Sequence, residues 1–233
     1  MVPLDSASAQ LARVEAEIER CRRCPRLVAW REKVGQDRRR SFQDETYWAR
    51  PVPGFGDPKA RLVVVGLAPA AHGGNRTGRM FTGDRSGDWL YGALHRAGYA
   101  NQPTSTGRAD GLVLAGAFVT AAVRCAPPDN KPTTDERDAC LEYLAAELEL
   151  LREARVYVAL GQFALHSLAT AFGLRPRPRF GHMAETTLAD GRVVISSYHP
   201  SQRNTFTGML TAEMFDAVFA RAREITGERP TTT

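Results

Sequence analysis

The sequence is poor in lysine and lacks any long apolar run. Lys33, Lys59 and Lys131 are its only lysines, so nearly all of its 31 basic residues are arginine. No stretch of 18 consecutive apolar residues occurs, so no membrane-spanning helix is predicted. Residues 1–10 have neither the basic nor the apolar segment of a secretory signal, and we therefore expect a soluble cytoplasmic protein.

The composition is that of a globular protein with a basic surface. The 233 residues are 43% hydrophobic and 24% charged, with a net charge of +5. A chain of this length can bury a substantial core, and this composition does not fit a disordered protein. Arginine binds phosphate in a bidentate manner, which favours a nucleic-acid partner. The alternative is that a GC-rich genome encodes arginine in place of lysine, and composition alone does not separate the two.

Four cysteines are spaced like metal ligands. Cys21 and Cys24 form a C-x-x-C pair, and Cys125 and Cys140 follow about a hundred residues later. Zinc ribbons usually repeat the C-x-x-C pair, which this chain does not do. Iron–sulfur clusters accept scattered cysteines and require four thiolates, so they fit the pattern better. The alternative is that Cys125 and Cys140 are small buried hydrophobic residues.

Four short apolar runs alternate with helical patterns from residue 61 onward. The alternation predicts a single α/β domain over residues 1–233, in which a four-stranded parallel sheet has helices on both faces. An amphipathic helix is predicted at 8–20, a long surface loop at 31–58 and a disordered tail at 228–233. The predicted strands lie at 61–66, 117–123, 155–160 and 192–198, and the last helix at 211–226.

Polar and glycine-rich segments follow the predicted strands, at the edge of the sheet where ligands bind in such folds. Gly73 and Gly78 have the spacing that opens a phosphate-binding loop, but the required Lys and Ser or Thr do not follow them, which argues against nucleotide hydrolysis. His199 follows the fourth strand in a polar segment that is poorly suited to a core. Asp84 is either part of a site here or only the cap of the next helix.

An ordered set of motifs resembles a known family. The motifs are Gly66-Leu-Ala-Pro-Ala-Ala-His72, Met80-Phe-Thr-Gly-Asp84, Val123-Arg-Cys-Ala-Pro-Pro-x-Asn130-Lys-Pro and His199-Pro-Ser-x-x-Asn204. Together with the cysteines, they resemble the uracil-DNA glycosylase superfamily, its iron–sulfur branch and, within that branch, the family 5, type B enzymes. The resemblance extends from about Cys21 to the last helix.

The resemblance implies a monomeric enzyme that flips a deaminated base out of double-stranded DNA and hydrolyses its N-glycosidic bond. It also implies a [4Fe–4S] cluster on the four cysteines, which attaches the N-terminal helix and the 31–58 loop. Asp84 is expected to orient water and stabilise the sugar cation, and His199 to stabilise the leaving base. The other implied site residues are Asn130 for positioning, Gly66, Ala68 and Phe81 for the base, and His72, Arg76, Ser201, Arg203 and Asn204 for DNA.

Two positions depart from the related family 4 enzymes. Leu67 replaces the Glu of their first motif, so the carboxylate must come from elsewhere, and Asp84 is the nearest candidate. Ala121 replaces the Asn that reads the edge of uracil. Because paired polar groups are how a pocket rejects the wrong ligand, we expect this pocket to accept hypoxanthine or xanthine as well as uracil.

Lys131 is the only lysine in these motifs, so we expect a monofunctional enzyme without Schiff-base chemistry. The missing Glu and Asn leave a second interpretation open, in which the chain is a catalytically inactive iron–sulfur module that binds DNA or carries electrons. A zinc-stabilised hydrolase of nucleotides is the third interpretation.

Overall fold

A computed structural model describes residues 6–227, and the tail predicted at 228–233 lies outside the described residues. The helices are α1 (Ala7–Arg20), α2 (Pro25–Asp37), α3 (Gly74–Thr77), α4 (Arg85–Arg96), α5 (Thr134–Leu150), α6 (Gln162–Ala171), α7 (Gln202–Phe206) and α8 (Ala212–Thr226). The strands are β1 (Phe55–Gly56), β2 (Leu62–Gly66), β3 (Ala117–Ala121), β4 (Val156–Leu160), β5 (Ala184–Thr187) and β6 (Val193–Ser197). Within the described range, no helix combines the length and apolar character needed to cross a membrane.

The sheet is mixed and has six strands in the order β1-β3-β2-β4-β6-β5. Its four central strands are parallel and coincide with the four predicted ones. The predicted four-stranded parallel sheet is nevertheless wrong, because β1 and β5 add antiparallel strands at its two edges. These strands gave no apolar signal: β1 has only two residues, and β5 reads Ala-Glu-Thr-Thr, with no face of strongly apolar side chains.

Helices cover both faces of the sheet, as predicted. Leu62 and Val64 of β2 pack into the cluster beneath α4 and α8, whereas Val63 and Val65 pack into the cluster beneath α5 and α6. Burial on both faces explains why the central strands are continuous apolar runs rather than alternating ones. The carboxyl ends of these strands therefore meet at one edge of the sheet, where the polar segments follow.

The N-terminal part is more helical than predicted. The amphipathic helix at 8–20 is confirmed as α1, but the loop expected at 31–58 begins only after α2 ends at Asp37. The buried positions of α2 are Leu27, Arg31 and Val34. A charged residue in the middle of this inward face breaks the apolar period, which is why the pattern concealed the helix.

Two helix starts carry capping signals in the sequence. The pattern Thr133-x-x-Glu136 predicts a capping box, and the structure confirms it at the start of α5. The sequence also predicts a helix that starts near Ser86 with Ser86 as its cap, but the cap of α4 is Asp84, because the helix begins at Arg85 and the Asp84 side chain accepts from the Gly87 amide. This cap places Asp84 at the carboxyl edge of the sheet.

Candidate active site

A cavity of about 680 Å³ lies beyond the carboxyl ends of the central strands, lined mainly by the segments that follow β2, β3 and β6. Eight of the eleven predicted catalytic, base-binding and DNA-binding residues line it, namely Ala68, His72, Phe81, Asp84, Asn130, His199, Ser201 and Arg203. The fold thus brings together residues that are more than a hundred positions apart in the sequence. This is the location expected for a ligand site in an open α/β sheet.

Phe81 is held tightly at the base of the cavity. Its backbone is in the left-handed region at φ 52°, and its ring stacks on His199 with centroids 5.8 Å apart and an interplanar angle of 29°. Gly66 and Gly87 make room for it: a Cβ on Gly66 would lie 2.6 Å from the Phe81 ring, and one on Gly87 would lie 1.8 Å from the Phe81 carbonyl oxygen. Gly66 therefore contributes by seating Phe81, although it does not itself line the cavity.

Asp84 both caps α4 and faces the cavity. Its Oδ1 accepts a hydrogen bond of 3.1 Å from the Gly87 amide. Its Oδ2 lies so close to Gly73 that a Cβ on that residue would be only 2.0 Å from it. Burial raises the pKa of Asp84, and the hydrogen bond from Gly87 opposes that rise. The two interpretations of Asp84 are therefore compatible, because one oxygen caps the helix while the carboxylate remains part of the cavity wall.

His199 presents a neutral imidazole to the cavity. Burial lowers its pKa to about 4, so the ring is uncharged at neutral pH and carries one N–H donor. Its backbone carbonyl accepts from the Asn204 side chain at 2.9 Å and from the Ser201 amide at 2.8 Å. These two bonds fix the turn that aims the imidazole, and Asn204 is thus engaged within the fold rather than in the cavity.

Four polar residues surround these central groups. The Nδ1 atom of His72 lies 3.0 Å from the Tyr47 hydroxyl, and burial lowers the pKa of His72. Ser201 caps the short helix α7, while Arg203 is exposed at the rim. Asn130 lines the cavity in a left-handed conformation, and no hydrogen bond joins it to Asp84 in the described part of the chain. The predicted positioning of Asp84 by Asn130 is therefore not supported by a hydrogen bond between the two described side chains.

Arg76, predicted to contact DNA, is buried instead. It forms an ion pair with Glu45, donates to the His72 carbonyl at 2.8 Å and to the Gly83 carbonyl at 3.1 Å, and packs over the Phe42 ring. A guanidinium with its donors engaged in this way is not available to a phosphate. This geometry argues against the predicted DNA contact, because Arg76 instead supports the loops that carry His72 and Asp84.

The cysteines are close together, and none forms a disulfide. Cys24, Cys125 and Cys140 share one cluster with Leu27 and Val123. Burial raises the pKa of the Cys125 thiol to about 12 and that of the Cys140 thiol to about 11, and a nearby Cys21 thiolate adds to both shifts. Four thiols from three separate segments therefore converge at one place.

Four thiols are the donor set that a [4Fe–4S] cluster uses. Within residues 6–227, no three Cys, His, Asp or Glu side chains are arranged to hold one metal ion. A [4Fe–4S] cubane has one iron for each of its four cysteines, so its ligands stand farther apart than those of one zinc ion. A donor set made only of cysteine thiols also matches the thiolate preference of iron–sulfur clusters.

Comparison with known proteins places this architecture in a family. The sequence model of the Uracil DNA glycosylase superfamily matches residues 53–223. The chain belongs to this superfamily. Its relatives include the type-5 uracil-DNA glycosylase of Thermus thermophilus, which is 56% identical over 208 residues, or 89% of this chain and 94% of the relative. The type-5 enzyme of Mycobacterium tuberculosis is 52% identical over 228 residues, covering 96% of this chain and 85% of the relative.

The similarity is lower to a second type within the superfamily. The type-4 uracil-DNA glycosylase of Archaeoglobus fulgidus is 30% identical over 187 residues, or 78% of this chain and 84% of the relative. The superfamily match begins at residue 53, after Cys21 and Cys24, whereas the alignment with the Mycobacterium tuberculosis enzyme leaves out only a few residues of this chain. The similarity to the Mycobacterium tuberculosis enzyme thus extends to α2 and the first cysteine pair.

The sequence did not single out two rim residues of this superfamily member, Arg85 and Phe206, although segment 202–208, which includes Phe206, is suited to probing the DNA groove. Arg85 lines the cavity, and its guanidinium lies 4.4 Å from the centroid of the Phe206 ring. Phe206 at the end of α7 is 66% exposed, and Met209 beyond it is 52% exposed. Exposed apolar side chains beside a polar cavity are informative, but their exposure depends on tertiary structure and could not be read from the sequence.

Proposed function

We propose that this chain excises uracil from double-stranded DNA by hydrolysing the N-glycosidic bond, leaving an abasic site. The observation that carries the proposal is one cavity lined by a half-buried carboxylate, Asp84, a neutral imidazole, His199, and the ring of Phe81 that stacks on it. Superfamily membership and the type-5 relatives support the same reaction. The duplex encloses the base, so the nucleotide must be flipped into the cavity before the bond can break.

The geometry limits how the base can bind. A base between Phe81 and His199 would need about 7 Å between the two rings, twice the 3.4 Å base spacing of DNA, but the centroids are only 5.8 Å apart. The two rings therefore form one stacked pair that lines the cavity, and a base does not insert between them. A base in the cavity meets the edge of the His199 ring. From an edge position, the imidazole N–H can donate to an oxygen of the base.

Asp84 and His199 stabilise opposite charges that develop on the substrate in the transition state. Breaking the bond leaves positive charge on the sugar and negative charge on the base, as in glycoside hydrolysis. The Asp84 carboxylate stabilises the sugar cation and accepts a proton from the attacking water. The His199 N–H stabilises the leaving base in the manner of an oxyanion hole. A neutral imidazole suits this role, because it donates a hydrogen bond without requiring an acidic medium.

The rim supplies contacts with DNA. Exposed Gln202 and Arg203 are placed to bind the backbone, which predicts an affinity that falls with salt. Phe206 is the side chain best placed to fill the space vacated by the flipped base, because it is apolar, 66% exposed and held under Arg85. An apolar wedge of this kind lowers the cost of unstacking a base step.

The pocket is expected to tolerate more than one deaminated base. Ala121 is buried at the end of β3, directly paired with Gly66, and brings no polar group to the cavity. Leu67 lines the cavity at the position where the family 4 motif has a glutamate. A pocket rejects the wrong base because its own buried polar groups lose their hydrogen-bond partners. This pocket has fewer such groups, so it rejects purines less strongly, and we expect hypoxanthine or xanthine to be removed as well as uracil.

The four cysteines would hold a [4Fe–4S] cluster, which when bound supplies a cross-link between α1, α2 and the segment after β3. This role is structural and takes no part in bond breaking. The cluster also accounts for the convergence of Cys21, Cys24, Cys125 and Cys140 without a disulfide.

A strand-break assay tests the proposal. Purified protein is incubated with duplexes containing one uracil, one inosine, one xanthosine or no lesion, and hot alkali then cleaves any abasic site. We expect breaks at uracil and at inosine or xanthosine, and breaks at uracil alone would refute the broad pocket. Asp84→Asn should lower the rate by at least about 100-fold while binding to DNA persists, since Asn caps a helix as well as Asp does. Intact protein that breaks no strand would instead favour an inactive DNA-binding module.

A further inference from the structure

Buried arginines in this chain come with carboxylate partners. Four arginines that are at most 9% exposed each form such a pair: Arg76 with Glu45, Arg79 with Asp110, Arg124 with Glu147 and Arg137 with Asp138. This pattern has a physical reason, because the guanidinium remains charged and a buried charge is costly unless an opposite charge accompanies it.

Arg31 is also buried, but its only ion pair in the described residues is the long one with Glu32, and no carboxylate lies within hydrogen-bond distance. It projects from α2 and is only 2% exposed. The nearest carboxylate oxygen, on Glu32, is 4.0 Å from its Nη2, beyond hydrogen-bond distance, and Glu32 is instead hydrogen-bonded to Arg22 near the surface. The charge of Arg31 therefore needs another counter-charge.

The cysteines occupy the position that a carboxylate takes at the other buried arginines. Nη1 of Arg31 donates to the Cys125 sulfur at 2.9 Å, and its Nη2 donates to the Cys21 carbonyl at 3.1 Å. Its Nε has no partner in the described residues. One guanidinium thus links the backbone carbonyl of Cys21 to the sulfur of Cys125, the cysteine that follows β3.

We propose that Arg31 is the counter-cation of the thiolate set and a positioning residue for it, donating an N–H···S bond to Cys125 as a cluster ligand. The inference rests on the proposed cluster but not on the glycosylase reaction. Four thiolates around an iron–sulfur core carry net negative charge, and both net charge and hydrogen bonds to sulfur set its reduction potential. The positive charge of Arg31 stabilises the more negative, reduced form, so its removal should shift the potential downward.

The test uses protein purified without oxygen and three variants. Arg31→Gln removes the charge, and Arg31→Lys keeps the charge but cannot reach both Cys125 and Cys21 with one planar group. Arg79→Gln is the matched control, because Arg79 is equally buried but pairs with Asp110, away from the cysteines. The measurements are iron and sulfide per chain, the rate at which an iron chelator bleaches the visible absorption, and the midpoint potential.

We expect Arg31→Gln to have a more negative potential than the wild type and to bleach about tenfold faster, with Arg31→Lys between the two. Arg79→Gln should lower the thermal midpoint of unfolding but leave the potential and bleaching rate unchanged. If Arg31→Gln does not fold, Arg31→Lys decides, since it should hold iron and bleach faster than the wild type.

Two outcomes would overturn the inference. One is an Arg31→Gln or Arg31→Lys protein with wild-type iron, potential and bleaching rate. The other is a wild type that holds no iron and sulfide, or holds zinc. Uracil release is measured separately on the same preparations, so a wild type that releases uracil but lacks iron rejects the role of Arg31 and leaves the proposed function standing.

Discussion

The substitution Gly66→Ala tests whether the seating of Phe81 matters for catalysis. The new Cβ would lie 2.6 Å from Cζ and 2.7 Å from Cε2 of Phe81. Carbon atoms pack at about 3.5–4.0 Å, so the ring must withdraw by roughly 1 Å. Its backbone cannot follow easily, because the first turn of α4 packs against the Phe81 carbonyl at Gly87. A displacement of roughly 1 Å at a positioning group can lower a rate by about 100-fold, and we expect a loss of that order in kcat/KM.

The assay is uracil release from duplex DNA under single-turnover and steady-state conditions, with the thermal midpoint of unfolding as the control. The clash costs about 1–3 kcal/mol of stability, of which the preference for alanine over glycine in a strand offsets about 0.5–1 kcal/mol, so the activity is measured well below the thermal midpoint of the variant. Because the clash is with the Phe81 ring, Gly66→Ala should add almost no further loss in a Phe81→Ala background. Activity within twofold of the wild type for Gly66→Ala, or an undiminished loss in the Phe81→Ala background, would refute the reasoning.

Three further predictions follow from the same geometry. Gly73→Ala places a Cβ 2.0 Å from Oδ2 of Asp84 and should lower kcat by about 100-fold; an unchanged kcat would show that the carboxylate position is unimportant. Because the folded-state pKa of His199 is about 4 while an unfolded histidine titrates near 6.5, the unfolded state binds the extra proton between these values. The free energy of unfolding should therefore fall as pH falls from about 6.5 to about 4, and urea titrations should show this slope reduced in His199→Gln. Phe206→Ala should lower uracil release from duplex DNA by about 10- to 100-fold but from single-stranded DNA much less, whereas Met209→Ala, the exposed neighbour, should have a smaller effect; equal losses on both substrates would exclude a wedge.

The central fold and the core of the site could be predicted because their signals are local. Each parallel strand is an uninterrupted apolar run, and Thr133 with Glu136 carries its own capping signal. The carboxyl-edge rule predicted that the segments with Asp84 and His199 lie together, and the family resemblance added Phe81. All three line one cavity, while the chemical role of each residue stays a prediction.

The remaining features depend on contacts between distant segments. The edge strand β5 is defined by pairing with β6 rather than by its own side chains. Arg76 was expected to be a surface residue that contacts DNA, but it is buried in an ion pair with Glu45, 31 residues earlier in the chain. The helix α2 was not predicted, because the charged Arg31 lies on its buried face and interrupts the apolar pattern there. In each case, a partner that the local sequence does not specify decides the outcome.

The shared packing of Cys24 with Cys125 and Cys140 has a consequence for biosynthesis. More than a hundred residues separate the first pair from Cys140, so a ribosome working at about 5–20 residues per second needs roughly 5–20 s to complete the set. During that interval, the early thiols leave the ribosome without their neighbours and are open to oxidation. Slow translation, or an oxidising host, should therefore reduce the yield of correctly assembled chains even when the finished protein is stable.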